Sequence, residues 1–171
     1  LEYKEQVMEY RRAFLENGDQ LHGTARLEEV EIYEEWLKFE ERALRKYGES
    51  YVPATIYLCI RIKDNKLVGM IEFRHELNEF LLQYGGHIGY SVRPTERRKG
   101  YNKINLYLCL LKAKEFGIDK VLLTASDNNL GSISTIKALG GGLENKVDSY
   151  KDFSDITGRY WIDVNESLEK Y

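Results

Sequence analysis

"GHIGYSVRPTERRKGYN", residues 86–102, is the stretch whose reading decides the fold. His87, Gly89 and Ser91 alternate with Ile88, Tyr90 and Val92, the period of a half-buried strand. Pro94 has no amide hydrogen and drives Arg93 towards an extended conformation, so the strand is expected to end there. Arg97, Arg98 and Lys99 then precede Gly100, and a helical pattern runs from Tyr101 or Asn102 to Phe116. The open N–H groups and dipole of a helix N-terminus attract an anion. Gly100 admits close approach of a ligand, and three cations stand beside it. Taken alone, the stretch fits two readings: a phosphate or pyrophosphate site, and a solvated charge cluster between strand and helix.

Upstream of this stretch, Tyr3, Val7, Tyr10 and Phe14 recur at helical spacing, which predicts a helix over residues 2–16, closed by Asn17-Gly18. A second helix is predicted from Leu27 to Tyr47, with Val30, Tyr33, Leu37, Leu44 and Tyr47 on one side, a glutamate-rich solvated face opposite and Gly48 as its stop. From Pro53 the period changes to two. "ATIYLCIRI" and "LVGMIEFRHEL" read as a hairpin around "KDNK", and "NEFLLQYGG" reads as a strand extension or a loop.

Downstream, "NKINLYLCLLKAKEFG" spreads Ile104, Leu106, Leu108, Leu110, Leu111 and Phe116 over a broad apolar face, which suits a helix lying on a sheet. "DKVLLTAS" is a continuous apolar run, typical of a strand covered on both faces. Strand, helix and strand in this order favour a parallel pair with a right-handed crossover. A short helix over "DNNLGSISTIKALGG" and two strand-like runs, "GLENKVDSY" and "GRYWIDV", complete the chain.

The composition bounds the function. A chain of 171 residues suits one domain, 1–171, with a sizeable core; 43% hydrophobic and 31% charged residues are ordinary for a soluble protein. The net charge of −3 argues against binding nucleic acid by phosphate neutralisation. No apolar run is long enough to span a bilayer and no secretory leader is visible, so no membrane partner is expected. Leu1, not Met, stands first, so native residues are expected upstream. Cys59 and Cys109 sit inside apolar patterns and read as buried free thiols of a reducing, cytoplasmic compartment. Thirteen tyrosines suggest amphipathic faces around a cleft or a subunit contact, which admits a homodimer.

The basic turn resembles the coenzyme A loop of the GNAT family of N-acetyltransferases, which has the form Gln/Arg-x-x-Gly-x-Gly/Ala. Arg97 falls on the first position, Gly100 on the fourth, and Asn102 stands where the family has Gly or Ala. "NNLGSISTIKALGG" is similar to the family's Asn-x-x-Ser/Ala helix: Asn129 and Ser132 match, Gly140 closes it, and Gly141 replaces the usual aromatic residue. The resemblance covers residues 53–165, leaves 1–48 as a helical segment on the acceptor side, and extends to a bacterial subgroup of predicted acetyltransferases through "ERRKGY" and "RYWI". It implies a mixed α/β fold: a mostly antiparallel central sheet, a parallel pair splayed at its centre, and flanking helices.

The resemblance also implies direct acetyl transfer from acetyl-CoA, a co-substrate, to an amine. The pantetheine arm would pair with the edge at Tyr90, Ser91 and Val92. The pyrophosphate would lie at Arg97, Arg98, Lys99, Gly100, Tyr101 and Asn102, and the arm would meet Asn129 and Ser132. Backbone N–H groups on the edge would polarise the thioester oxygen. The tyrosine that many relatives use as an acid, seven residues after the motif asparagine, is here Ile136; Ser134, another tyrosine or no acid at all are the alternatives. Glu72, His87 and His22 are candidate bases. Each has a plain structural alternative: Glu72 facing solvent, His87 bonded to backbone at a strand end, His22 an ordinary loop residue. His75 near Glu72 and Glu76 makes a poor metal site, and no metal is expected. Two other readings stay open: a module that holds acyl-CoA without turnover, and an unrelated nucleotide binder.

Overall fold

The computed structural model describes residues 2–43, 52–150 and 154–171. Val7, Tyr10 and Phe14 are all buried, and their stripe draws the first segment into helix α1, Lys4–Glu16. The predicted second helix divides into a 3-10 turn, Leu27–Glu29, and helix α2, Tyr33–Ala43. Arg11 accounts for the break. Its guanidinium donates to the carbonyls of Leu27 and Glu28, each at 3.1 Å, the acceptors that a continuing helix would need. Val30 is extended, at φ −107° and ψ 147°. Leu27, Val30, Tyr33 and Trp36 nevertheless reach one core with α1. The predicted end of this helix, through Leu44 and Tyr47 to Gly48, lies outside the described residues.

Strands β1, Ala54–Arg61, and β2, Lys66–Arg74, form the expected hairpin, and β3, Ile88–Val92, adds antiparallel to β2. The stretch between β2 and β3 is neither a strand extension nor a plain loop. It forms a wide helical turn, Leu81–Gly85, closed by a 2.6 Å bond from the Gly86 N–H to the Leu81 carbonyl. The Asn78 carboxamide starts it by accepting the Leu81 N–H at 2.9 Å. Helix α3, Tyr101–Glu115, leads to β4, Lys120–Ser126, and helix α4, Leu130–Ala138, follows. Strands β5, Gly142–Asp148, and β6, Ile156–Asp163, complete a second antiparallel sheet in the order β4-β6-β5. A closing helix, α5, Val164–Lys170, starts at Asp163, whose carboxylate accepts the Glu166 N–H at 3.0 Å.

One core lies between α3, α4 and the strands; the other lies where α1 and α2 cover the opposite face of β1 and β2. Burial on α3 is narrower than its composition suggests. Leu106, Cys109, Leu110 and Ala113 are buried, whereas Ile104, Leu108, Leu111 and Phe116 are exposed. Apolar residues run round this helix, and a sheet covers one side only. Cys109 is buried and free; Cys59 is free but only half-buried, because it lies on the hairpin rather than beneath a helix.

The ladders among the described residues are antiparallel, and β3 and β4 belong to different sheets. The two strands meet at one joint. The His87 N–H donates to the Leu122 carbonyl at 2.7 Å, and the Leu122 N–H donates to His87 Nδ1 at 2.9 Å. From there both chains run into one cleft, with Ile88, Gly89 and Tyr90 on one wall and Leu123 to Ser126 on the other. They therefore run in the same direction and part, as the splayed pair requires. Gly86, at φ +68°, makes the joint possible: a Cβ there would lie 2.5 Å from the Leu122 carbonyl oxygen. The result is a mixed α/β fold of antiparallel sheets flanked by helices.

Candidate functional site

Two cavities open where β3 and β4 part. One, of about 750 Å³, lies between the strands and is lined by Gly23, Arg74, Phe80, Tyr84, Tyr150 and Asp155. The other, of about 520 Å³, lies over the basic turn and is lined by Arg97, Arg98, Gly100, Tyr101, Asn102 and Thr135. His22, Tyr90, Asn129 and Ser132 line both, so the two adjoin along the outer end of β3.

The register of β3 fixes which backbone groups face this space. Arg93 N–H bonds the Val68 carbonyl and Arg74 N–H bonds the His87 carbonyl, so the odd-numbered residues exchange with β2. The N–H and C=O groups of Tyr90 and Val92 consequently point to the open edge. The Val92 carbonyl accepts Arg97 Nε there at 3.2 Å. Ser91 differs from its neighbours: its backbone faces β2, and its hydroxyl accepts the Tyr10 hydroxyl at 3.0 Å.

The basic turn is organised by a residue that the sequence reading passed over. Glu96 is buried at the foot of a 3-10 turn, Pro94–Glu96, and binds Arg61 at 2.7 Å, Lys99 at 2.9 Å and Lys66 at 3.0 Å. These cations hold its carboxyl far down, at about 2, with Lys99 the largest contributor. Lys99 therefore turns back from the cavity. The Tyr101 hydroxyl reaches the same cluster, accepting Arg61 Nη1 at 3.0 Å. Arg97 reaches sideways to Asp19 at 2.6 Å and lies over the Phe14 ring. Arg98 lines the cavity with no itself-neutralising carboxylate within ion-pair distance among the described residues. It adopts φ +61° and Gly100 φ +83°, and a Cβ on Gly100 would meet nothing within 4 Å. Gly100 is the N-cap of α3, and no side chain caps the helix. An anion thus finds an open helix N-terminus, a bare glycine and one uncommitted guanidinium.

Asn129 caps α4, its side-chain oxygen accepting the Ser132 N–H at 3.0 Å. The Ser132 hydroxyl lies 2.8 Å from the Tyr90 hydroxyl. Burial pushes the Tyr90 phenol up to about 12, so it stays protonated.

Of the three candidate bases, Glu72 and His87 line neither cavity. His87 is buried in the β3–β4 joint, where Nδ1 is already an acceptor and burial, helped by the Arg74 charge, pulls its pKa down to about 4. Glu72 points to the α2 side of β2 and pairs with Arg74 at 2.5 Å. Beside it stands Glu40, whose carboxyl is pushed up to about 8 by burial and the Glu72 charge. His75 bonds Thr55 at 2.8 Å and packs on Phe116. Ser134 is exposed and lines neither cavity, and Ile136 is fully buried. His22 is the imidazole that lines both cavities.

The acetyltransferase (GNAT) family model matches residues 13–140. No curated protein sequence matches the chain. Among solved structures, a variant of spermidine N-acetyltransferase SpeG from Vibrio cholerae superposes with a TM-score of 0.68 at 13% identity, covering 98% of this chain and 95% of that one. Microcin C7 self immunity acetyltransferase MccE, in complex with acetyl-CoA and AMP, gives 0.68 at 15% identity over 95% and 87% of the two chains. Ribosomal-protein-S5-alanine acetyltransferase from Vibrio fischeri gives 0.59 at 16% identity over 78% and 70%.

Proposed function

The chain belongs to the acetyltransferase (GNAT) family, and from that premise we propose that it transfers an acetyl group to a primary amine by direct attack in a ternary complex. Acetyl-CoA is the co-substrate of that family and supplies the acetyl group as an activated thioester. The observation that carries the proposal is the open edge of β3, which runs from the cavity over the basic turn into the cavity between the strands.

In this reading Arg98 and the backbone from Lys99 to Asn102 hold the diphosphate. The Tyr90 and Val92 backbone groups hold the arm, and one of their N–H groups polarises the acyl oxygen. Asn129 and Ser132 flank the arm from α4. The amine enters the larger cavity past Phe80, Tyr84 and Tyr150, whose rings meet tilted or edge to face with centroids 4.9–5.7 Å apart. His22, at the meeting of the two cavities, takes the proton that the amine must lose. Glu72 and His87, engaged elsewhere, support the site rather than exchange protons in it. A cytoplasmic location accords with the free thiols at Cys59 and Cys109.

A second reading, an acyl-CoA-binding module without turnover, is favoured by one observation: the position where relatives carry an acid is the fully buried Ile136. Thiol release from acetyl-CoA against a panel of small amines and peptide N-termini separates the two. Release with any amine supports transfer; micromolar coenzyme A binding with no release supports the module.

A further inference from the structure

The loop that follows α1 crosses β3 backbone on backbone. Gly23, at φ +68°, lies on Gly89: a Cβ on Gly23 would stand 2.1 Å from the Gly89 carbonyl oxygen and 2.6 Å from the Tyr90 nitrogen. A Cβ on Gly89 would in turn meet the Gly23 nitrogen and Cα at 3.4 Å. Glycine is therefore required at position 23 for space as well as for its left-handed backbone. The residues around the crossing are held too. Leu21 and Thr24 are buried, and the buried Trp36 indole donates its Nε1–H to the Thr24 carbonyl at 2.8 Å. Asp19 ties the start of the loop to Arg97 at 2.6 Å. His22, between buried Leu21 and the crossing, is exposed and lines both cavities.

We propose that this crossing is a positioning device: Gly23, seated on Gly89, sets the His22 imidazole at the point where the acceptor amine loses its proton. The inference rests on the reading of His22 as the proton acceptor. A base works only within hydrogen-bond reach of the proton it takes, and a displacement of about 1 Å costs on the order of a hundredfold in rate. A loop keeps such a tolerance when it is seated on a rigid element. Here the seat is β3, the strand whose Tyr90 and Val92 backbone groups hold the arm in the proposed complex. Base and acyl group are then referenced to one strand, the first from its face and the second from its edge. Backbone contact leaves no rotamer through which the loop could drift. Gly23 offers no side chain to a substrate and acts through the residue before it. An alanine in its place would have to retreat by more than an ångström before its Cβ reached ordinary contact with the Gly89 oxygen.

Gly23→Ala tests this against Gly18→Ala. Both put alanine at a left-handed position of the same loop, φ +68° and +69°, but a Cβ on Gly18 meets nothing within 4 Å. Thiol release from acetyl-CoA with small amines and peptide N-termini should fall about 30-fold or more in Gly23→Ala, with coenzyme A affinity within about twofold of the parent, and should stay within about twofold in Gly18→Ala. His22→Gln should cost about 100-fold in the parent and in Gly18→Ala, but less than about threefold in Gly23→Ala, where the imidazole is already displaced. Additive losses from Gly23→Ala and His22→Gln would overturn the proposal, as would equal rates for the two alanine variants. Proton NMR reads the same point through coenzyme A alone. The chain has three histidines, and the His22 ring resonance, assigned by its loss in His22→Gln, should shift with coenzyme A in the parent and in Gly18→Ala and much less in Gly23→Ala. A shift of one size in all three would also overturn the proposal. If Gly23→Ala melts too early to assay, Trp36→Phe, which removes the bond to the Thr24 carbonyl and keeps the crossing glycine, should show a smaller loss with the same dependence on His22; a loss independent of His22 counts against the device. No thiol release from the parent with any amine, although coenzyme A binds, would sink acetyl transfer itself and the role of His22 with it, whereas an additive cycle sinks the crossing alone.

Discussion

His87 offers a test that separates a catalytic imidazole from a structural one. Its ring is buried, its Nδ1 accepts the Leu122 N–H, and its pKa lies near 4 against an ordinary value of 6.5. The sign follows from that depression. Above pH 6.5 the ring is neutral in both folded and unfolded chains, and its contribution to stability is fully present. As pH falls the unfolded chain takes up a proton first, and the contribution is lost by the time pH has passed through 4. A difference of about 2.5 pH units between the two states corresponds to roughly 3 kcal/mol.

His87→Asn places an oxygen where Nδ1 stood and does not titrate. We expect it to keep the bond to Leu122 and lose the ring's contact with Trp161, 6.3 Å away between centroids, at a cost of about 1–2 kcal/mol at pH 8. His87→Ala leaves the Leu122 N–H without an acceptor and should lose a further 1–3 kcal/mol or so. Urea unfolding at pH 8 and pH 4.5 reads both effects. The parent should lose about 2–3 kcal/mol more than His87→Asn on going to the lower pH, enough to erase or reverse its advantage at pH 8, because only the parent carries the histidine penalty; carboxylates common to both cancel. Superimposable pH dependences would refute the argument. So would a folded His87→Asn protein that binds coenzyme A normally but has lost turnover at pH 8, since that is the behaviour of a base.

Three other expectations follow from the basic turn. Glu96→Gln removes the charge that Arg61, Lys66 and Lys99 share; the protein should lose about 2–3 kcal/mol in urea at pH 7, and the loss should vanish as pH falls from 4.5 to 2, where the parent carboxylate also becomes neutral. Equal stability of the two proteins at pH 7 would show that the cluster is only surface charge. Gly100→Asp puts a carboxylate beside the proposed diphosphate and should weaken coenzyme A about 100-fold by calorimetry, while Gly100→Ala, whose Cβ meets no atom within 4 Å, costs about 1–2 kcal/mol of stability through its positive φ and little affinity. Asp19→Ala releases Arg97 from a half-exposed ion pair worth at most about 1 kcal/mol, freeing the Val92 carbonyl and a cation for ligand; coenzyme A should bind two- to fivefold more tightly, and weaker binding would contradict this role for the pair.

Much of this architecture was legible because it rests on local rules. Period-two alternation located β3, Pro94 ended it, and Gly100 opened α3, each through backbone constraints that act within a few residues. What failed depended on distant partners. The break between Leu27 and Tyr33 comes from Arg11 on another helix, and the exposure of Ile104, Leu108 and Leu111 depends on which side of α3 meets the sheet. Helix α5 was missed although its signal was present: Asp163 and Glu166 have capping-box spacing, directly after an apolar strand. Glu96 read as one more surface charge because nothing nearby in sequence marks it as buried; two of its three cations come from the β1–β2 hairpin.

The same distinction explains why β3 and β4 part. A parallel ladder propagates when each N–H on one strand finds a backbone carbonyl on the next. At the joint the Leu122 carbonyl does receive the His87 N–H, but the Leu122 N–H turns to an imidazole nitrogen instead of a carbonyl. A side chain in the place of a backbone acceptor satisfies one rung and offers no register for another. With the ladder stopped, the backbone groups of Tyr90 and Val92 point away from β2 to an edge where Arg97 Nε meets the Val92 carbonyl. Tyr90 then spans the gap with its side chain, reaching Ser132 on α4 rather than pairing with β4. A histidine buried in the joint can therefore be the reason that β3 has an open edge. On this argument His87 affects function through the width of the cleft, and the ligand affinity of His87→Ala should fall with the loss of that geometry while its pH–rate profile keeps the shape of the parent's.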